Sequence, residues 1–173
     1  MDSHELEAEI YRALKSALER MYSEYEGHNF YYITLVTSGD ALRPYMSAWS
    51  VELLAQESES EEDADELKWS CVDSPLCGYA DDCFSVVDEL FKSRPDIHSL
   101  SDSDFESEYS YRINAMERAL ERIDSDGLFG TGVKRDNVYV NIEVMPPDHT
   151  NTQRALRLNP KSALTEWLLE AAE

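Results

Sequence analysis

Apolar residues recur every three or four positions between residues 3 and 25, where Leu6, Ile10, Leu14, Ala17, Met21 and Tyr25 form one stripe among Glu, Lys and Arg. That spacing predicts an amphipathic helix. Asp2 with Glu5 three residues on offers a capping box, and Gly27 supplies a stop. Residues 30–37 are aromatic and β-branched on both faces and run into Ser38-Gly39-Asp40, which predicts a central strand feeding a turn. A second strand is expected over 42–49, with Pro44 at an edge, an end or a bulge because it cannot donate a ladder hydrogen bond. Ser50 is then placed to cap a short helix through Val51, Leu53 and Leu54.

Residues 67–72 return to core-like composition and suggest a short strand before Asp73-Ser74-Pro75 turns the chain. Phe84, Val87, Leu90 and Phe91 share a helical face over 81–93, stopped by Pro95. Ser103 with Glu106 reads as a capping box for a helix with the stripe Phe105, Tyr109, Ile113, Met116, Leu120, Ile123, ended by Asp126-Gly127. The segment 128–132 is an apolar, glycine-rich turn with Phe129 expected in the core. Strict alternation of Val138, Val140, Ile142 and Val144 predicts a strand over 137–145. Asn159-Pro160 predicts the N-cap and first turn of a last helix packing Leu164, Trp167, Leu168 and Ala171. This order implies a single α+β domain over 1–173, with a small and mostly antiparallel sheet packed against several amphipathic helices.

Charge changes the picture more than composition does. Thirty-six acids against fifteen Lys and Arg give a net charge of −21, while 42% hydrophobic and 10% aromatic residues are enough for a core. Nucleic acid is an unsuitable partner for such a surface, and a basic protein a suitable one. Residues 57–66 hold seven acids and no base: Glu57, Glu59, Glu61, Glu62, Asp63, Asp65 and Glu66. They predict a solvated loop or a mobile helix end. Residues 96–108 form a second base-free acidic segment that includes Asp102 and Asp104. Brought together by the fold, the two would make one negative field.

Candidate chemistry is sparse. Cys71, Cys77 and Cys83 are odd in number and five residues apart, which fits reduced thiols in a cytoplasmic protein better than a disulfide framework or, with His98, a structural zinc site. Ser74 lacks a Gly-x-Ser-x-Gly elbow and reads as a turn residue. The glycines around Phe129 with Lys134 and Arg135 lack the Gly-Lys-Ser/Thr ending of a phosphate loop. Asp73, Asp81, Asp82 and Asp88 form no EF-hand pattern. Neither a metal nor a cofactor is expected, and no stretch suits a membrane span. Trp49 and Trp69 are the aromatic candidates for anchoring a protein partner.

Several segments together resemble the bacterial family of domain of unknown function 4303. They are Tyr31-Tyr32-Ile33-Thr34-Leu35-Val36-Thr37, Ala48-Trp49-Ser50-Val51-Glu52-Leu53-Leu54, Trp69-Ser70 with Pro75, Gly127-Leu128-Phe129-Gly130, and Leu158-Asn159-Pro160. The pattern's Glu-Trp pair after the tryptophan is replaced here by Val72-Asp73-Ser74-Pro75. The resemblance implies an α+β bacterial protein and brings no activity or catalytic residues with it. Size, charge and sparse chemistry are similar to those of immunity proteins, which block secreted toxins. The expected function is therefore an acidic cytoplasmic binding module, an immunity-type inhibitor that occludes a basic toxin through the two acidic segments and one or both tryptophans. An enzyme with a hydrolase-like site of Asp73, Cys77 and a histidine, and a homodimer built on the Trp49 and Trp69 region, are the alternatives.

Overall fold

The structure, a computed structural model, describes residues 4–172. Its first helix, α1 (Glu5–Glu24), buries the predicted stripe Leu6, Ile10, Leu14, Ala17 and Met21; Asp2, the expected cap, lies outside the described residues. Strands β1 (Phe30–Ser38) and β2 (Tyr45–Ser50) follow, then α2 (Val51–Glu57), capped as expected by Ser50, whose Oγ accepts from the Leu53 N–H at 3.0 Å. Next come α3 (Glu61–Leu67), α4 (Ser85–Ser93), the long α5 (Asp102–Ser125), β3 (Tyr139–Met145), α6 (His149–Leu158) and α7 (Lys161–Glu170). The cap of α5 is Ser101, two residues before the expected Ser103. Its other end closes as predicted, with Gly127 at φ +76° and the Leu128 N–H donating to Ile123 O at 3.2 Å.

The sheet is ordered β2-β1-β3, with β1 antiparallel to β2 and parallel to β3. It is therefore mixed, where the sequence predicts a mostly antiparallel one. Alternation fixes that β3 is a strand but not its direction. The long crossover carrying α2 to α5 returns the chain to the end where β1 starts, and such a connection is what a parallel pair requires. One sheet face carries Met46, Ala48, Ile33, Leu35, Val140 and Ile142, all fully buried, and belongs to the core that α1 and α5 complete. By the same register, the other face carries Ser47, Trp49, Tyr32, Thr34, Tyr139, Asn141 and Glu143, which are buried as well.

Two expectations fail for one reason: side chains satisfy backbone groups that a strand or a continuing helix would otherwise satisfy. Residues 68–72 are not a strand. Their carbonyls accept from Tyr31 Oη at Lys68 (2.8 Å), Trp49 Nε1 at Ser70 (2.7 Å) and Ser47 Oγ at Cys71 (2.7 Å). Asn159 does not cap α7, where Pro160 holds the N-cap position; its amide instead brackets Val140, accepting from N–H at 2.9 Å and donating to C=O at 2.6 Å. The helix before it, α6, has no sequence prediction at all, because the face it buries includes Asn151 and Arg154.

A buried ion triad joins α4 to α5. Glu108 is 7% exposed and Arg112 3%; Arg112 Nε donates to Glu108 Oε1 at 2.7 Å, and Arg94 forks onto the same carboxylate. Burial pushes the Glu108 carboxyl up, but the two guanidiniums outweigh it and hold the group below the ordinary carboxylate value. A carboxyl held low stabilises the fold above its unfolded pKa and loses that contribution as pH falls through the folded value. Glu108→Ala, which strands two guanidiniums, is expected to lower unfolding free energy by about 3–5 kcal/mol in a denaturant melt. In Glu108→Gln the acid limb of the stability profile should be shallower than in the unsubstituted protein.

Candidate functional site

The largest described cleft, about 660 Å³, lies between α2 and α7. Val51 and Leu54 of α2 form one wall, Thr165, Glu166 and Leu169 of α7 the other, and Tyr31 and Trp69 the floor. Two of its apolar side chains stand well out in solvent: Leu169 is 84% exposed and Val51 56%. A leucine left that bare beside a valine, an indole and a phenol gives the cleft an unpartnered apolar lining.

Local chemistry holds the floor in place. Trp69 packs edge-on against Tyr31 with ring centroids 5.5 Å apart, and its Nε1 donates to Glu170 Oε2 at 2.8 Å. Beneath it, Tyr32 stacks on Tyr139 at 5.4 Å, and Tyr139 on Trp167 of α7 at 4.7 Å. This aromatic pile ties α7 to the sheet. Burial first, and the Glu143 carboxylate second, push the Tyr139 hydroxyl well above its ordinary pKa, so it stays protonated and donates to Glu143 Oε1 at 2.8 Å. The Tyr139 hydroxyl beneath the floor therefore stays neutral across the physiological range.

The rim is acidic. Lys68, the cation in the lining, is answered twice, by Glu166 Oε1 at 3.0 Å and Glu170 Oε2 at 2.9 Å, and Asp136 lines the far side. Immediately before Lys68 runs α3, where the sequence predicts a loop or mobile helix end; six of the ten residues of that acidic segment lie in this helix, which has no buried residue, and Glu57 ends α2. Ser60 Oγ accepts from Asp63 N–H at 3.1 Å while Asp63 Oδ2 accepts from Glu59 N–H at 2.8 Å, a reciprocal cap that lets so polar a sequence turn helical. Among the described residues, none of Glu57, Glu59, Glu61, Glu62, Asp63, Asp65 and Glu66 enters an ion pair. Their charge is uncompensated and stands beside the groove.

The other predicted site residues go elsewhere. Asp102 and Asp104 are exposed in the first turn of α5, which lies at the opposite end of β1: there Arg112 reaches the carbonyl of Ala41, whereas Tyr31 reaches Lys68 at the strand's start. The nine residues of β1 span roughly 26 Å at about 3.3 Å per residue. With a Debye length of about 8 Å at physiological salt, the two acidic segments act separately. Trp49 is fully buried, its indole N–H given to Ser70 O, so it is a core residue and offers nothing to a partner. Trp69, half-buried, is the tryptophan at the surface. Sequence reasoning missed Val51 and Leu169, since an exposed leucine on a helix reads like any other member of an apolar stripe.

The residues of the enzyme alternative do not converge. Asp73 is exposed and accepts from Ser70 Oγ at 2.5 Å; Ser74 is buried and gives its hydroxyl to Ala48 O at 2.5 Å. His28 meets Ser50 and His98 faces Asp40, so neither attends Cys77. Among the described residues no three Cys, His, Asp or Glu side chains gather as metal ligands, and no helix is long and apolar enough to cross a membrane.

Residues 10–160 match the family described as domain of unknown function DUF4303. The chain belongs to that family. Neither a curated protein nor a solved structure matches it.

Two predictions separate groove from core. Leu169→Glu should leave stability within about 0.5 kcal/mol of the original, as expected for a surface position, whereas Trp49→Ala should cost about 3–5 kcal/mol, both read from thermal or denaturant unfolding. Thiol chemistry checks the burial of residues 71–77 independently: Cys77 is exposed, whereas Cys71 is buried and its thiol pushed up to about 12, chiefly by that burial. Alkylation at neutral pH followed by mass spectrometry should therefore modify Cys77 first and Cys71 only on unfolding.

Proposed function

We propose that this member of the DUF4303 family is an acidic protein-binding module whose docking face is the groove between α2 and α7. The observation that carries the reading is the exposed apolar pair Val51 and Leu169 over the Trp69 floor, set beside the unpaired carboxylates of α3. The occupant that suits it is a basic protein presenting an apolar anchor between Lys or Arg side chains. Its anchor would fill the groove, as hot-spot side chains do, and its cations would meet Glu61, Glu62, Asp65 and Glu66. A second copy of the chain is disfavoured as occupant by mutual repulsion at a net charge of −21.

The finer reading is an immunity-type inhibitor acting in the cytoplasm. A toxin domain that works on a phosphate backbone must keep a cationic cleft, and a carboxylate-studded helix beside an apolar socket is suited to covering such a cleft. Inhibition by occlusion asks nothing of the inhibitor but shape and charge.

The test is a pull-down from the native host's lysate at low and high salt, using the unsubstituted chain and two variants, Leu169→Glu and the triple change Glu61→Gln, Glu62→Gln, Asp65→Asn. The expected result is one basic protein, held at low salt, weakened at high salt, lost with Leu169→Glu and weakened by the triple change. Calorimetry with the purified partner should repeat that order. Retention indifferent to salt and to both variants, or no basic protein at all, would contradict the proposal.

A further inference from the structure

The opposite end of the sheet carries a cleft of the other sign. It occupies about 350 Å³, and its walls bring together Arg43, Lys92, Arg94, His98 and Arg112, with Asp96 the acid in the lining. Four of the chain's fifteen Lys and Arg residues thus converge on one small cavity of a protein with thirty-six acids. A solvated face of random composition in this chain would be negative.

The guanidiniums are held rather than mobile. Arg94 lies over the ring of Tyr111 at 3.9 Å, Arg112 over Phe91 at 5.3 Å and Arg43 over Phe84 at 5.8 Å. Stacking fixes the planes of the forks, and most of their N–H groups are already committed: Arg112 to Glu108, Ala41 O and Pro95 O, Arg94 to Glu108, and Arg43 through Nη1 and Nη2 to Asp81. Their acidic partners are Glu108 for Arg94 and Arg112, Asp81 and Asp88 for Arg43, Asp88 and Glu89 for Lys92, and Asp40 for His98. None of these carboxylates is in the cleft lining.

One buried donor of the cleft residues remains unanswered. Arg43 Nε is buried and has no hydrogen-bond partner; the carboxylate of Asp88 is 3.9 Å away, an ion-pair distance but not a hydrogen bond. Native structures rarely leave such a group without an acceptor. The cleft also has an apolar side, made by Leu42, Phe91 and Ile97. It opens just beyond Ser38, at the carboxyl end of the parallel pair β1 and β3, the end at which sheets with parallel strands receive ligands.

We propose that this cleft binds the oxyanion of a small molecule, a carboxylate or a phosphate, with Arg43 and Lys92 as anion contacts and the molecule's apolar portion against Leu42, Phe91 and Ile97. The net charge of the chain opposes the approach of any anion, but beyond about one Debye length that repulsion is screened, and the cleft lining itself holds four Lys and Arg side chains against one carboxylate, Asp96. The inference is independent of the α2 and α7 groove. It lies across the length of β1 from it and needs no protein partner.

The experiment titrates the isotope-labelled protein with phenyl phosphate, benzoate and neutral phenol while the arginine Nε–H resonances are followed by NMR. A saturable shift of the Arg43 signal by one or both anions, with millimolar or tighter affinity and none from phenol, is expected. The tighter anion identifies phosphate or carboxylate as the natural group. Arg43→Met, which keeps the aliphatic stem, should weaken the tighter anion about tenfold or more, as loss of a charge-assisted hydrogen bond would. Lys92→Ala, at a solvent-facing side chain, provides the same reading should Arg43→Met fail to give a native near-UV spectrum. Shifts that do not saturate, shifts equal with phenol, or affinity unchanged in the folded variants would overturn the proposal.

Discussion

Strand β3 is an edge of the sheet, and the groups it turns outward are answered by side chains instead of another strand. Asn151 accepts from Val144 N–H at 2.9 Å and donates to Val144 O at 3.2 Å; Arg154 Nε donates to Ile142 O at 3.1 Å; Asn159 brackets Val140. Unpaired edges invite another chain to add to them, and natural folds cover them. Here α6 is the cover, and because its contacts are hydrogen bonds of fixed geometry it is pinned in register as well as in place. Arg135 continues the clasp, giving Nη1 to Val138 O at 2.6 Å and Nη2 to Leu158 O at 2.9 Å, and pairing with Asp124 at the end of α5. The turn into α7 is set by this clasp, so the groove wall bearing Leu169 stands on it.

Charge is then distributed by the sheet's length. At the amino end of β1, α3 and α7 present carboxylates beside an apolar socket; at the carboxyl end, stacked arginines present donors beside a smaller one. Each end would dominate only its own approach, because screening confines exposed charge to about a Debye length. A net charge quoted for the whole chain hides this division. It describes solubility and the sign of long-range steering, and says little of what either cleft would hold.

The parts of the fold legible in the sequence are those in which apolar spacing and burial agree. The stripe of α1, the capping of α2 by Ser50, the stop of α5 at Gly127 and the burial of Phe129 are of that kind. Alternation located β3 but concealed its second face: Tyr139, Asn141 and Glu143 look solvent-directed in the sequence and are in fact covered. Polar burial of this sort leaves no periodic trace, which is also why α6 was invisible. At the candidate site, Trp69 and the acids of α3 were legible as residue types. Their meeting with Val51 and Leu169 was not, since it depends on long-range contacts such as Trp69 with Glu170. Trp49 looked equivalent to Trp69 until the structure put it in the core.

That apolar shape and acidic charge act together at the α2 and α7 groove is the central claim, and it can be tested without a known partner. The measurement is an NMR titration of the chain with a designed amphipathic Lys and Leu peptide and, separately, with oligolysine. The account predicts that the amphipathic peptide shifts the Trp69 indole N–H and the Val51 and Leu169 methyls and weakens with salt, while oligolysine shifts only the backbone of α3. Equal and diffuse shifts from both peptides, with the groove methyls unmoved, would contradict it.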